Sequence, residues 1–247
     1  MKEDKANKVE VGNLFNDFSL RIPIYQRNYA WGEQEIGQLL TDINDIQENQ
    51  NYYLGTLVLY NNDGYYDVID GQQRLTTLFL LQQILLSRKN ESLGKMNQLT
   101  FESRPQTSEF FKNLAGKNSL EGVMKVCDNT KNLDNFTTAI HEINKFLDQE
   151  LNGVDLNIFE NKCLKNTHVF TTLLPEKTDV NHYFEIMNNR GEQLEKHEIL
   201  KAKFIDQLET DYDKERYSKI WEACSQMDNH VQYYFDVQTR KVLFSDK

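Results

Sequence analysis

The sequence predicts an α+β fold. A small mixed sheet carries a hairpin that feeds a central helix, followed by a helical insertion and C-terminal helices. Three observations predict it. Two strand-like runs, "YYLGTLVLY" (52–60) and "YYDVI" (65–69), flank the turn "NNDG". β-Branched and aromatic residues favour strands, and Asp-Gly between two such runs is a hairpin signal. Immediately afterwards, residues 72–88 carry apolar side chains around most of a helical circumference, as a buried helix does. A further strand-like run, "THVFTTLL" (167–174), returns only after a long helical stretch. Strand and helix therefore do not alternate as in a regular βαβ array.

Taken in order, residues 11–18 read as a short helix or turn. "RIPIYQRNYAW" (21–31) reads as extended, because Pro23 biases Ile22 away from helix. Ile36, Leu39, Leu40, Ile43 and Ile46 recur at the helical period over 33–48. The helix from Gln72 ends at Arg88 and Lys89, the charge sign its dipole prefers. Residues 90–134 are polar and weakly patterned, consistent with loops and one or two short helices. Phe136, Ile140, Ile143, Phe146 and Leu147 mark a helix over 134–151. Thr178 is an N-cap candidate for a helix through Asn188, Gly191 a left-handed stop, and helices resume over 195–208 and 213–227. The chain divides into a sheet and motif helix (1–90), a helical insertion (91–164), and a returning strand with C-terminal helices (165–247).

Composition narrows the function classes. Hydrophobic residues are 39%, but 12 Tyr and 14 Phe argue for a folded chain. A net charge of −10 disfavours non-specific DNA binding, which rests on phosphate contacts. Cys127, Cys163 and Cys224 form no C-x-x-C pair, so they read as free thiols in a reducing compartment and not as zinc or disulfide frameworks. The charged N-terminus lacks an apolar signal core, and residues 75–86 are too short and polar to span a bilayer. The expected location is the cytoplasm, with no membrane partner.

Chemistry concentrates in "DGQQR", Asp70 to Arg74, where strand meets helix. One reading is structural: Asp70 caps the helix, Gln73 completes a capping box, and Gly71 lets the chain turn. The other is functional. Free N–H groups at a helix start form a ready anion site, and Arg74 adds a planar fork suited to phosphate. A glutamine, Gln72 or Gln73, would orient a water, and Asp70 would hold a divalent metal or accept a proton. No P-loop pattern occurs. "YQRNYAW" (25–31) is either an aromatic strand edge with a surface arginine, or a source of a second phosphate arginine, Arg27, beside Gln26 and Asn28, or of aromatics that stack on a base. "FEIMNNRGEQLEKHEILK" (184–201) is either a helix C-cap or a loop bringing Asn188 and Arg190 to the same region.

"IPIYQRNYAW", "YYLGTLVLY", "VIDGQQRLTTL" and "FEIMNNRGEQLEKHEILKAKF", in that order, resemble the N-terminal domain family of GmrSD-type, modification-dependent restriction enzymes. The resemblance covers roughly residues 11–210. It implies a ParB/sulfiredoxin-like fold that binds and hydrolyses a nucleoside triphosphate, with Mg2+, to control a nuclease acting on foreign DNA. It implies catalytic roles for Asp70, Gln72 and Gln73, with Asp70 on the metal. Gln26, Arg27, Gly71, Arg74, Asn188 and Arg190 would bind nucleotide. His141, His168, His182, His197 and His230 form no His-Asn-His arrangement, so DNA is expected to be reached through a further nuclease domain or subunit. A homo-oligomer is left open. The alternatives are a ParB-like phosphodiester nuclease and a non-catalytic protein-interaction module.

Overall fold

In the computed structural model the described residues are 7–47, 50–91, 99–130, 133–149, 151, 156–180, 183, 200–201, 204–205, 207–208 and 210–225. Two strands, β3 (Tyr52–Asn62) and β4 (Tyr65–Asp70), form the expected antiparallel hairpin, numbered by their place in the chain. Asp63 (φ 49°) and Gly64 (φ 88°) make the two-residue turn. Positive φ at both central positions matches the twist of the flanking strands, which is why Asp-Gly stands here. The sheet is mixed and ordered β1-β6-β3-β4-β2-β5, with β1 (Asn7–Glu10), β2 (Leu20–Ile22), β5 (Thr100–Phe101) and β6 (Thr167–Leu174). The returning strand β6 joins beside β3, in parallel. It occupies the residues expected from its pattern. The short strands β1, β2 and β5 leave too few residues to show a period of two. The extended segment from Arg21 leaves the sheet at Ile22, just before Pro23.

Helices α1 (Val11–Asp17), α2 (Glu33–Asn44) and α3 (Gln72–Arg88) cover one face of the sheet. Every residue of α3 except Arg74, Leu86 and Arg88 is buried, so its nearly circumferential apolar pattern reflects a central position. The segment expected as a helical insertion forms α4 (Pro105–Ala115), α5 (Leu120–Asp128), α6 (Asp134–Gln149) and α7 (Leu156–Asn161), then one π-helical turn (Lys162–Asn166) into β6. Phe111, Val123, Ile140 and Phe159 from these helices belong to the same core cluster as Leu57, Leu59 and Val68 of the sheet. Arg88, at the end of α3, donates to Asp148 (2.7 Å) and to the Asn144 carbonyl (3.2 Å) of α6.

The last helix among the described residues, α8 (Asp211–Ser225), begins after Thr210, whose hydroxyl accepts from the Asp213 N–H at 3.1 Å. The helix expected from Thr178 and the one expected over 195–208 fall mostly outside the described residues. Among the described residues, no helix is long and apolar enough to cross a membrane. Cys127 and Cys163 are buried and unbridged.

Candidate functional site

β4 ends at Asp70, and the chain turns into α3 through Gly71, whose φ of 92° is left-handed. Only glycine adopts that backbone cheaply. A Cβ on Gly71 would also come within 3.1 Å of both the Thr56 carbonyl oxygen and a Leu57 methyl. Gly71, and not Asp70, is therefore the N-cap, and no side chain caps the helix. This overturns the capping-box reading of Asp70 and Gln73. The Gly71 carbonyl accepts from the Leu75 N–H at 3.0 Å, but a glycine cap has no side-chain oxygen, so the N–H groups of Gln72 to Arg74 keep their donor capacity.

Arg74, in the first turn, points to β3. It donates to the Leu54 carbonyl at 2.6 Å and to the Thr56 carbonyl at 3.3 Å. Those two carbonyls flank an irregularity in the β3–β6 ladder: Tyr53 pairs with His168 and Thr56 with Phe170, so Leu54 and Gly55 together oppose Val169. Gly55 lies at the bulge with φ 116°, and a Cβ there would fall 2.1 Å from Nη1 of Arg74. The bulge and the missing side chain together make room for the guanidinium. Leu54, Gly55, Leu57, Gly71, Arg74 and Leu75 line a cavity of about 10 Å³ at this point. That is about the space of one water and far below a ligand pocket.

The polar residues of the two sequence clusters meet, and their side chains bind main chain. β4 carries its own bulge, with Val58 opposite Asp70 and Leu59 opposite Val68. Beyond the end of β2, the buried Gln26 amide takes over that edge, donating to the carbonyls of Val68 (3.1 Å) and Ile69 (2.8 Å). Gln72 donates to the Arg27 carbonyl at 2.8 Å. Gln73 donates to the Asn28 carbonyl at 3.0 Å and accepts from the Ala30 N–H at 2.8 Å. Tyr29, between these anchors, shares a 2.8 Å hydrogen bond with Thr77 one turn along α3. Burial pushes the Tyr29 hydroxyl well above its usual range. The 25–31 segment is thus an irregular loop clamped to α3, not a strand edge.

These contacts bring Gln26, Arg27, Gly71, Gln72, Gln73 and Arg74 to one junction. Both ends of the Gln73 amide are engaged with loop backbone, so its place in the structure is that of a loop anchor, whereas the oxygen of Gln72 has no hydrogen-bond donor among the described residues. Arg27 reaches the junction through its carbonyl and does not line the small cavity. Asp70 is half-buried, and none of the described residues donates to its carboxylate. Among the described residues no three His, Cys, Asp or Glu side chains cluster as a metal cage. A single carboxylate fits Mg2+ only as it is commonly held beside a nucleotide, with phosphate oxygens and water completing the shell. Asn188, Arg190 and Gly191 lie outside the described residues.

Sequence reasoning missed Gly55, Arg104 and Asn135. Gly55 had a signal: an isolated glycine within a strand pattern marks a bulge or a close approach. Arg104 donates to the Gln26 carbonyl, and Asn135 donates to the Tyr29 carbonyl at 2.7 Å. Nothing local distinguishes them from surface polar residues.

The fold and the junction define an α+β domain in which a hairpin delivers an Asp-Gly-Gln-Gln-Arg motif to an uncapped helix end. Residues 11–205 match the family described as the GmrSD restriction endonuclease, N-terminal domain. The chain belongs to that family, and is thus a restriction-system domain. A search of curated proteins returns no match.

Proposed function

We propose that this domain binds and hydrolyses a nucleoside triphosphate at the β4–α3 junction, and that this step regulates a nuclease in a phage-defence restriction system. The observation that carries the reading is the uncapped start of α3 beside Arg74. Arginine has five N–H donors, and Arg74 directs two at β3 carbonyls. No described carboxylate pairs with it. Its charge and remaining donors, together with the free helix N–H groups, suit a phosphate oxygen. Mg2+ bound with the nucleotide would neutralise phosphate charge and sit on Asp70. Gln72 would orient the attacking water through its unengaged oxygen, and Gln73 and Gln26 would hold the loop carrying Arg27. With a net charge of −10, DNA is reached through a further nuclease domain or subunit.

A second reading has its own observation. Gln26, Gln72, Gln73 and Arg74 all donate to main-chain carbonyls, which is what a purely structural motif in a non-catalytic interaction module would do. A panel of ATP, GTP, CTP and UTP, assayed for binding and phosphate release with and without Mg2+, separates the two. The proposal expects Mg2+-dependent phosphate release from at least one nucleotide. It also expects Arg74→Ala to weaken binding roughly 10- to 150-fold, the loss of about 1.5–3 kcal/mol typical of a charge-assisted hydrogen bond. Binding of none of the four by the folded protein leaves the interaction module. Cleavage of a DNA substrate by this chain alone would instead establish a phosphodiester nuclease.

A further inference from the structure

The loop from Ile24 to Ala30 is held from two sides. On one side stand the glutamines of the motif and its neighbour, already described. On the other stands the largely helical segment between α3 and β6. Glu102, just after β5, accepts from the Ile24 N–H at 3.0 Å. Arg104 donates to the Gln26 carbonyl, and Asn135, in the first turn of α6, donates to the Tyr29 carbonyl at 2.7 Å. The next residue, Phe136, stacks on the Tyr29 ring with centroids 5.2 Å apart and planes at 14°. These side chains reach across 78 to 106 positions of sequence. They alternate along the loop with the motif's bonds to Arg27, Asn28 and Ala30. The main chain on either side of Arg27 is therefore fixed jointly by the motif helix and by the insertion.

We infer that Asn135 and Arg104 are positioning residues for the junction: they hold the Gln26–Tyr29 backbone, and with it Arg27, in the arrangement that receives the nucleotide, so the helical insertion sets the affinity of the site. The inference rests on the proposed nucleotide function. Both bond main-chain carbonyls of the loop, and among the described residues neither is hydrogen-bonded to a motif side chain, so both act through the loop. A movement of α6 relative to α3 would reach the site by this route, which gives the insertion a regulatory use beyond filling the core.

The test compares two substitutions in α6 and two at Arg104, each made in the whole 247-residue chain. Asn135→Asp keeps the shape of the side chain and removes the donor to Tyr29, since a carboxylate only accepts. Asn144→Ala cuts another contact between α6 and α3, that with Arg88, and leaves the loop untouched. Each is measured for thermal stability, for amide hydrogen exchange over residues 24–31, and for affinity and turnover with ATP, GTP, CTP and UTP in the presence of Mg2+. For Asn135→Asp the expected result is faster exchange confined to 24–31 and a roughly 5- to 50-fold rise in KM, with kcat changed less than threefold. Asn144→Ala should leave both the loop exchange and KM at wild-type values. Arg104→Lys, which keeps the charge and a donor, should retain more affinity than Arg104→Ala. If wild-type protein binds nucleotide and Asn135→Asp binds it equally well, the positioning role is overturned while the proposed function stands. If both α6 variants raise KM in step with lost stability, the contact is merely structural and the inference fails. If wild-type protein binds none of the four nucleotides, the proposed function falls and this inference with it.

Discussion

Gly55 and Arg74 compete for the same space: the guanidinium lies where a Gly55 side chain would begin, 2.1 Å from the ideal Cβ position. The bulge exposes the Leu54 and Thr56 carbonyls to Arg74, and the glycine admits it. Gly55→Ala should therefore act twice. A non-glycine residue at φ 116° is strained, by about 1–3 kcal/mol, and the arginine must leave its carbonyl partners. Denaturant unfolding should show the loss of stability, and nucleotide titration should show weaker binding. A Gly55→Ala protein with wild-type stability and affinity would show that the guanidinium is not held by this bulge.

Asp70 is not the helix cap, so its removal should not carry the cost of losing one. Asp70→Asn is expected to leave stability within about 0.5 kcal/mol of wild type, as substitutions away from such features do. Phosphate release should nevertheless fall at least tenfold if Asp70 serves the metal. Turnover and melting temperature measured on the same sample separate the roles. Unchanged turnover would remove Asp70 from the chemistry.

Gln73 closes two hydrogen bonds to the loop, at Asn28 and Ala30. At about 0.5–1.5 kcal/mol net for each, Gln73→Ala should cost roughly 1–3 kcal/mol. Gln38, whose amide donates to Asp42 on the exposed face of α2, is the control. Gln38→Ala should change stability by less than about 0.5 kcal/mol. Equal effects of the two substitutions in chemical denaturation would mean that the Gln73 clamp contributes nothing beyond a surface contact.

Burial pushes the Cys163 thiol up to about 12 and the Cys127 thiol up to about 11. Both should resist thiol reagents in the native protein near pH 8, and the rate of labelling should track unfolding. The sign of the pH effect follows from proton counting. An unfolded cysteine loses its proton near pH 8.5, whereas these keep theirs in the fold. Between roughly pH 9 and 11 the folded state thus binds more protons, and stability falls as pH rises. Cys163→Ala should flatten part of that decline in thermal melts taken across this range. A decline identical to wild type would assign it to other groups.

The kinship with the restriction-enzyme family and the elements that carry the motif are both legible in the sequence itself. Strand propensity, the Asp-Gly turn and the all-round apolar helix are local signals, set by residues within a few positions of one another. They place β3, β4, α3 and β6 with their ends correct to within two residues. Strands of two to four residues, such as β1, β2 and β5, carry no period and exist only because a neighbour offers an edge.

What the motif side chains do is decided by the tertiary structure. From spacing alone, Asp70 and Gln73 make a plausible capping box. The close approach of β3 to the start of α3 requires a glycine there, and that moves the cap to Gly71. Gln26, Gln72 and Gln73 find their carbonyls and N–H group 42 to 45 positions away, and Asn135 finds its own 106 positions away. A one-dimensional pattern records that an amide is present. Which backbone group it satisfies depends on where the chain returns in space, because a buried polar group must bond whatever the fold brings to it.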